Sequence, residues 1–224
     1  MRLLEALTEL VYPTRCAGCE LPGAVLCDTC RDTLPRVDAA GACPHCGAPY
    51  GYLVCTECWS REWAFSAALS LGEFESQLAR AVVLHKDAGE QRLGAVLGSL
   101  LAEQVARTWP DWAESVAFVP ATRAAMRRRG FDHGRAIAVT VAEDLGVPLV
   151  EPLTRAAAAD QRLLGRADRA RNAAGSFAVT GALTGHVLLC DDVFTTGATL
   201  DAAASVLLDA GACEVRCATV ARAW

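Results

Sequence analysis

With 224 residues, 53% of them hydrophobic, the chain can build one domain of ordinary size plus a small module. A net charge of −5, from 21 Lys and Arg against 26 Asp and Glu, argues against generic nucleic-acid binding over the whole surface. No apolar run approaches the roughly 20 residues needed to span a bilayer, which excludes insertion as a membrane helix.

The opening segment, MRLLEALTELVYP, reads as a short amphipathic helix with Leu3, Leu7, Leu10 and Val11 on one side. Glu5 and Glu9 interrupt it and no small-residue cleavage site follows, so a secretory signal is not expected and a cytoplasmic location is. Eight of the 11 cysteines then fall within the first 58 residues as four Cys-x-x-Cys pairs: Cys16/Cys19, Cys27/Cys30, Cys43/Cys46 and Cys55/Cys58. The pairs are separated by 7, 12 and 8 residues, which makes two similar units.

Four thiolates around one ion form a closed, structural zinc site with no open position for catalysis. Disulfides are disfavoured because nothing points to secretion, and a redox pair would need a single motif in a βαβ setting. Iron–sulfur spacings differ from these. Two Zn²⁺ ions are therefore expected, paired by the repeat as 16/19/27/30 and 43/46/55/58, with a cross-braced arrangement as the alternative. His45, between ligands, reads as a knuckle residue. Cys190, Cys213 and Cys217 sit in apolar patterns and read as small core residues.

After a Trp- and Phe-marked transition at residues 59–65 the pattern changes. Helices are expected at 75–85, 90–107 and 135–145, and a strand at 116–119 ending at Pro120. A strand from Val187, a helix over 200–210 stopped by Gly211, and a strand over 213–220 complete the chain. Alternating strands and helices imply a parallel sheet with right-handed crossovers, whose ligands bind at the carboxyl ends of strands. The expected division is 1–62 for the N-terminal helix and a double zinc module of four cysteines per ion, and 63–224 for the α/β domain.

Residues 187–200, VLLCDDVFTTGATL, carry the most chemistry. An apolar strand runs into Asp191 and Asp192, and the loop Thr195-Thr196-Gly197-Ala198-Thr199 then opens a helix. Backbone N–H groups and the helix dipole at such a start favour an anion, and the threonine hydroxyls add donors. The loop reads as a phosphate cradle, with Gly197 letting the backbone wrap closely. The two carboxylates suit vicinal sugar hydroxyls, whose hydrogen bonds they accept. No Walker-type loop occurs. Ten of the 21 basic residues lie between Arg123 and Arg171, and Lys86 is the single lysine, a density that suits contacts to phosphate.

The 187–200 stretch resembles the phosphoribosyl-diphosphate (PRPP) signature of type I phosphoribosyltransferases. That resemblance implies that Asp191 and Asp192 hold the ribose 2′- and 3′-hydroxyls and that residues 195–199 hold the 5′-phosphate. Taken with the cysteine pairs, Lys86-Asp-Ala-Gly, Val119-Pro120, Arg129-Gly130-Phe131, Gln161, Arg169-x-x-Asn172 and Gly175-Ser-Phe177, nearly the whole chain resembles the ComF family of bacterial competence systems. The family pattern usually reads Arg-Gly-Phe-Asn-Gln, whereas this chain has Asp132 and His133 in the last two places, which puts an acid beside the expected pyrophosphate. The resemblance implies a type I phosphoribosyltransferase-like parallel sheet flanked by helices behind a Cys-rich zinc module. It further implies PRPP bound with Mg²⁺, with Lys86, Arg123 and Arg129 toward the pyrophosphate and the Arg-rich segment 155–171 as a hood. Phosphoribosyl transfer to an unknown acceptor would make Asp191, Asp192, Lys86 and Arg129 catalytic. The alternatives are a non-enzymatic competence factor that contacts single-stranded DNA or proteins of the competence machinery, and a PRPP-gated regulator.

Overall fold

The computed structural model describes residues 13–49, 51, 53–155 and 176–223. The expected N-terminal helix lies outside the described residues, as do Gln161, Arg162, Arg166, Arg169, Arg171, Asn172 and Gly175. Six α-helices and six strands are described: α1 (Asp28–Asp32), β1 (Ala67–Glu73), α2 (Ser76–Lys86), α3 (Arg92–Thr108), β2 (Ser115–Phe118) and α4 (Arg123–Arg129). Then come α5 (His133–Leu145), β3 (Leu153–Arg155), β4 (Phe177–Val179), β5 (His186–Phe194), α6 (Ala198–Asp209) and β6 (Glu214–Arg222).

The main sheet has the order β1-β6-β5-β2, and every pairing in it is parallel. Its strands are largely buried on both faces, which is why residues 187–190 of β5 form a continuous apolar run. β1 is not legible in the sequence. Its residues, AALSLGE, are mostly small and of weak strand preference, and burial on both faces with pairing to β6 makes it a strand. β3 and β4 form a separate antiparallel pair beside the sheet.

Strand alternation sorts the core. Leu188 and Cys190 of β5 join α2, α3 and α5 on one face, with Leu78, Leu97, Leu101, Ile137 and Val141. Val187 and Leu189 join α6 on the other, with Leu200, Ala203 and Leu207. Close packing of α3 on α5 depends on Gly98, where a Cβ would come within 2.7 Å of Thr140. The Cys-rich region is divided between the two faces. Cys16, Leu26, Cys30 and Leu34 belong to the α2–α3–α5 core, whereas Cys43, Cys46 and Cys58 belong to the α6 core with Phe65 and Phe194. One core expectation is corrected: Cys190 and Cys217 are fully buried, but Cys213 is exposed, because it lies in the turn that precedes β6 rather than in the strand.

Candidate functional site

The two cysteine groups are sequential. Sulfurs of Cys16, Cys19, Cys27 and Cys30 lie within 4.8 Å of one another, and so do those of Cys43, Cys46, Cys55 and Cys58. The spacing between Cys16 and Cys27 is 3.6 Å, between Cys19 and Cys27 3.7 Å, and between Cys46 and Cys55 3.6 Å. Tetrahedral zinc with Zn–S bonds of about 2.3 Å requires sulfurs about 3.8 Å apart, so both groups can hold the ion. All eight cysteines are free of disulfides.

The first cysteine of each group is primed as a ligand. At Cys16 burial opposes the thiolate, but N–H donors from Cys27 and Gly18, each 3.3 Å from the sulfur, help pull its pKa down to about 6. Cys43 is held at about 7 in the same way, with the Cys55 N–H 3.3 Å away. His45 is exposed and stands outside the four-sulfur set, as its knuckle position suggests.

The second constellation lies at the carboxyl end of the sheet. A cavity of about 460 Å³ is lined by Lys86, Arg128, Arg129, His133 and Arg155, by Asp191 and Asp192, and by Thr195 and Thr199. Strand alternation turns Asp192 toward the α2–α5 face, where Lys86 Nζ lies 2.5 Å and His133 Nε2 3.4 Å from its Oδ2. Lys86 comes from the last position of α2 and His133 from the first of α5. The far side of His133 receives Arg129, whose Nη1 is 3.2 Å from Nδ1, while Nη2 pairs with Asp87 at 2.8 Å. A guanidinium only donates, so Nδ1 is the acceptor in this contact, and Nε2 is the ring nitrogen on the Asp192 side. Asp87, Arg129, His133, Asp192 and Lys86 form one connected chain.

That chain splits the acidic pair. Burial disfavours the Asp192 carboxylate, but His133 and Lys86 outweigh it and hold its pKa well below the usual range. Asp191 is pushed well above that range by burial and by the neighbouring Asp192 charge. The signs differ accordingly. Asp192 contributes stability above the ordinary carboxylate range that is lost on acidification, whereas charging Asp191 in the fold costs stability that is recovered in acid. Asp191→Asn should therefore raise the melting temperature of the ligand-free protein at pH 7, by about 2–4 °C per kcal/mol relieved, and the gain should vanish at low pH. Thermal melts across pH check this; an unchanged or lower melting temperature at pH 7 would contradict it.

The chain belongs to the loop architecture in a way the spacing alone did not reveal. Thr195 and Thr199 line the cavity, and Ala198 and Thr199 open onto an adjoining space of about 190 Å³ with Arg155 and Phe177. Thr196 and Gly197 line neither. Gly197 is the N-cap of α6 at φ 73°, and a Cβ there would lie 2.7 Å from the rings of Trp63 and Phe194. Glycine is required there by packing and backbone conformation.

Arg123 begins α4 as an exposed side chain outside the cavity lining, while Arg128, more than a turn later, is within it. Asp132 is an N-cap: its carboxylate accepts from Arg135 N at 3.1 Å and Ala121 N at 2.8 Å, and it does not line the cavity.

A model of the phosphoribosyl transferase domain matches residues 132–223, which run from the cap of α5 to the end of β6. The DNA utilization protein YhgH of Salmonella typhi is 30% identical over 221 residues, covering 92% of this chain and 96% of that protein. The competence protein ComFC of Bacillus subtilis (strain 168) is 26% identical over 198 residues, covering 85% of this chain and 80% of that protein.

The chain belongs to the ComF family.

Among solved structures, the glutamine PRPP amidotransferase of B. subtilis, complexed with ADP and GMP, is similar to this ComF-family chain at 20% identity and a TM-score of 0.42. The match covers 57% of this chain and 26% of that one. A purine phosphoribosyltransferase from Pyrococcus horikoshii OT3 is similar at 19% identity and a TM-score of 0.37, over 58% and 83% of the two chains.

Within this ComF-family site, His133 and Arg128 are the residues that sequence reasoning missed, while Arg155, the first residue of the expected hood, lines the cavity. His133 stood out as a departure from the family pattern, and its place one residue after a helix cap was the available signal. Arg128 was visible only as part of a basic run. Arg155 enters because β3 brings it over the cavity, its Nε 2.9 Å from Pro120 O. Among the described residues no helix is long and apolar enough to cross a membrane.

Proposed function

We propose that the cavity binds PRPP together with Mg²⁺ and that the protein carries out, or is gated by, phosphoribosyl chemistry in the handling of DNA. The observation that carries this reading is the Asp191–Asp192 pair running along β5 into the loop that starts α6, with Lys86, Arg128 and Arg129 lining the same cavity. In this reading the two carboxylates accept hydrogen bonds from the ribose hydroxyls, and the segment Thr195, Thr196, Gly197, Ala198 and Thr199 supplies the 5′-phosphate site. Thr195 and Thr199 have their side chains nearest the ligand.

Lys86, Arg128 and Arg129 face the pyrophosphate. Arg129 is already oriented by Asp87 and His133, so it can meet the developing charge with little rearrangement, which is how fixed donors lower a barrier. Lys86 exchanges Asp192 for the incoming anion. Asp191 and Asp192, whose oxygens lie within 4.8 Å of each other, would hold Mg²⁺, which would supply positive charge to offset the pyrophosphate.

The same reading assigns Zn²⁺ to both four-cysteine groups, a metal module to residues 1–62 and the phosphoribosyltransferase-like domain to 63–224. Eight free thiols set for metal suit a reducing, cytoplasmic compartment. The names of the relatives, DNA utilization protein and competence protein, support single-stranded DNA or proteins of the competence machinery as partners.

Calorimetric titration with PRPP and Mg²⁺ tests the site, and pyrophosphate release screened across nucleobases and single-stranded DNA tests transfer. Saturable, Mg²⁺-dependent binding is expected, and its absence would overturn the reading. Binding without pyrophosphate release from any acceptor would select the gated, non-enzymatic form.

A further inference from the structure

The second cysteine group and the loop that opens α6 are built into one another. Cys58 Sγ accepts a hydrogen bond from the Trp63 indole N–H at 3.2 Å. The Trp63 ring stacks on Phe65 with centroids 4.9 Å apart and meets Phe194 edge-on at 6.2 Å. Phe194 is the last residue of β5, immediately before Thr195, and Trp63 and Phe194 together close the space beside Gly197. Arg61 lies 3.5 Å over the Trp63 ring and donates to the Thr196 carbonyl at 3.3 Å. Asp201, in the first turn of α6, accepts from Ala64 N at 2.7 Å.

A second route starts at Cys46. Arg222, 2% exposed at the end of β6, donates to the Cys46 carbonyl at 2.7 Å and to its sulfur at 3.5 Å. Its guanidinium lies 4.2 Å over the Phe194 ring. Four thiolates around a divalent ion carry a net negative charge, which helps to compensate this buried cation.

The first cysteine group makes different contacts. Its neighbourhood bonds to α2 through Arg80 with Glu20 and through Gln77 with Thr33. Neither of these contacts leads to residues 194–201.

We propose that Trp63 and Arg222 are positioning residues through which metal in the Cys43/Cys46/Cys55/Cys58 group sets the conformation of residues 194–201, so that metal and anion bind cooperatively. The anion half rests on the PRPP reading of the loop; the positioning half does not. Partners of metal ligands that orient them are commonly worth about 10- to 100-fold in metal affinity. Linkage requires the effect to run both ways: an anion seated on the loop tightens the second metal.

Hydrogen exchange on the full-length, zinc-loaded protein tests the positioning half. Exchange over residues 194–202 should rise about tenfold or more in Cys55→Ser and remain unchanged in Cys19→Ser. Trp63→Phe keeps an aromatic ring but removes the N–H donor and the ring edge that packs beside Gly197. It should raise the same exchange and weaken the second zinc by about tenfold, as followed by competition with a chromogenic chelator. In wild type, PRPP with Mg²⁺ should slow release of one zinc of the two several-fold, and Trp63→Phe should abolish that slowing.

Unchanged exchange in both Cys55→Ser and Trp63→Phe overturns the proposal, as does an equal rise in Cys19→Ser. If PRPP binds but leaves zinc release untouched, cooperativity is overturned. If the exchange pattern holds while wild type binds no PRPP, the PRPP reading fails and the positioning role stands.

Discussion

Purified without added metal, the full-length protein should contain two zinc ions per chain, and Cys43→Ser should lower this to one with loss of structure around the second cysteine group. The effect is large because the ligands are also core residues. Cys43, Cys46 and Cys58 are buried with Phe65 and Phe194, and Cys16 and Cys30 with Leu71 and Leu78. Structural zinc contributes on the order of 10–16 kcal/mol to the folding of small peptides, far more than a segment of this size gains from its own apolar contacts. The lowered pKa values of Cys16 and Cys43 give each group one ligand that ionises near neutral pH without metal. Elemental analysis and near-UV circular dichroism before and after chelation check this. One ion or none, with the second group still structured, would contradict the eight-ligand assignment.

Asp191→Asn combined with Asp192→Asn should abolish measurable PRPP binding, a loss of about 100-fold or more. A hydrogen bond to a charged group is worth about 1.5–3 kcal/mol, and the double change removes the charged Asp192 acceptor together with the Asp191 carboxyl. It also leaves Lys86 and His133 without the carboxylate that orders them. The single changes should separate the two contributions. Asp191→Asn removes an acceptor from a group whose charge is unfavourable in the fold, so binding falls while stability rises. Asp192→Asn breaks a largely buried pair, so both fall. Calorimetry with PRPP and Mg²⁺ alongside thermal melts distinguishes them. Unchanged affinity in the double variant would show that the acidic pair is not the ribose site.

Local chemistry made much of this protein legible from its residues. Cys-x-x-Cys pairs at gaps of 7 and 8 residues can close on an ion almost without regard to what surrounds them, so the two metal groups were visible and their sequential pairing could be expected. The strand–acid–acid–loop–helix run of β5 and α6 was equally visible, because a strand end, a helix start and the residues between them lie within one short stretch. Long amphipathic helices such as α3 announced themselves by period.

What the tertiary structure alone decided depends on residues far apart in the chain. β1 became a strand through its pairing with β6, about 150 residues later, since its own small residues express no clear preference. Asp191 and Asp192, identical in type and adjacent in sequence, were driven to opposite ionisation tendencies because strand alternation gives only Asp192 the partners Lys86 and His133. Arg123 and Arg128, equivalent as members of one basic run, were separated by the helical turn of α4, which leaves only Arg128 at the cavity. The contacts of Trp63 and Arg222 with the second cysteine group and Phe194 likewise had no signature in spacing. They arise because β5, β6 and the segment before β1 converge beside that group, and burial there selects rings and a cation that fit one another.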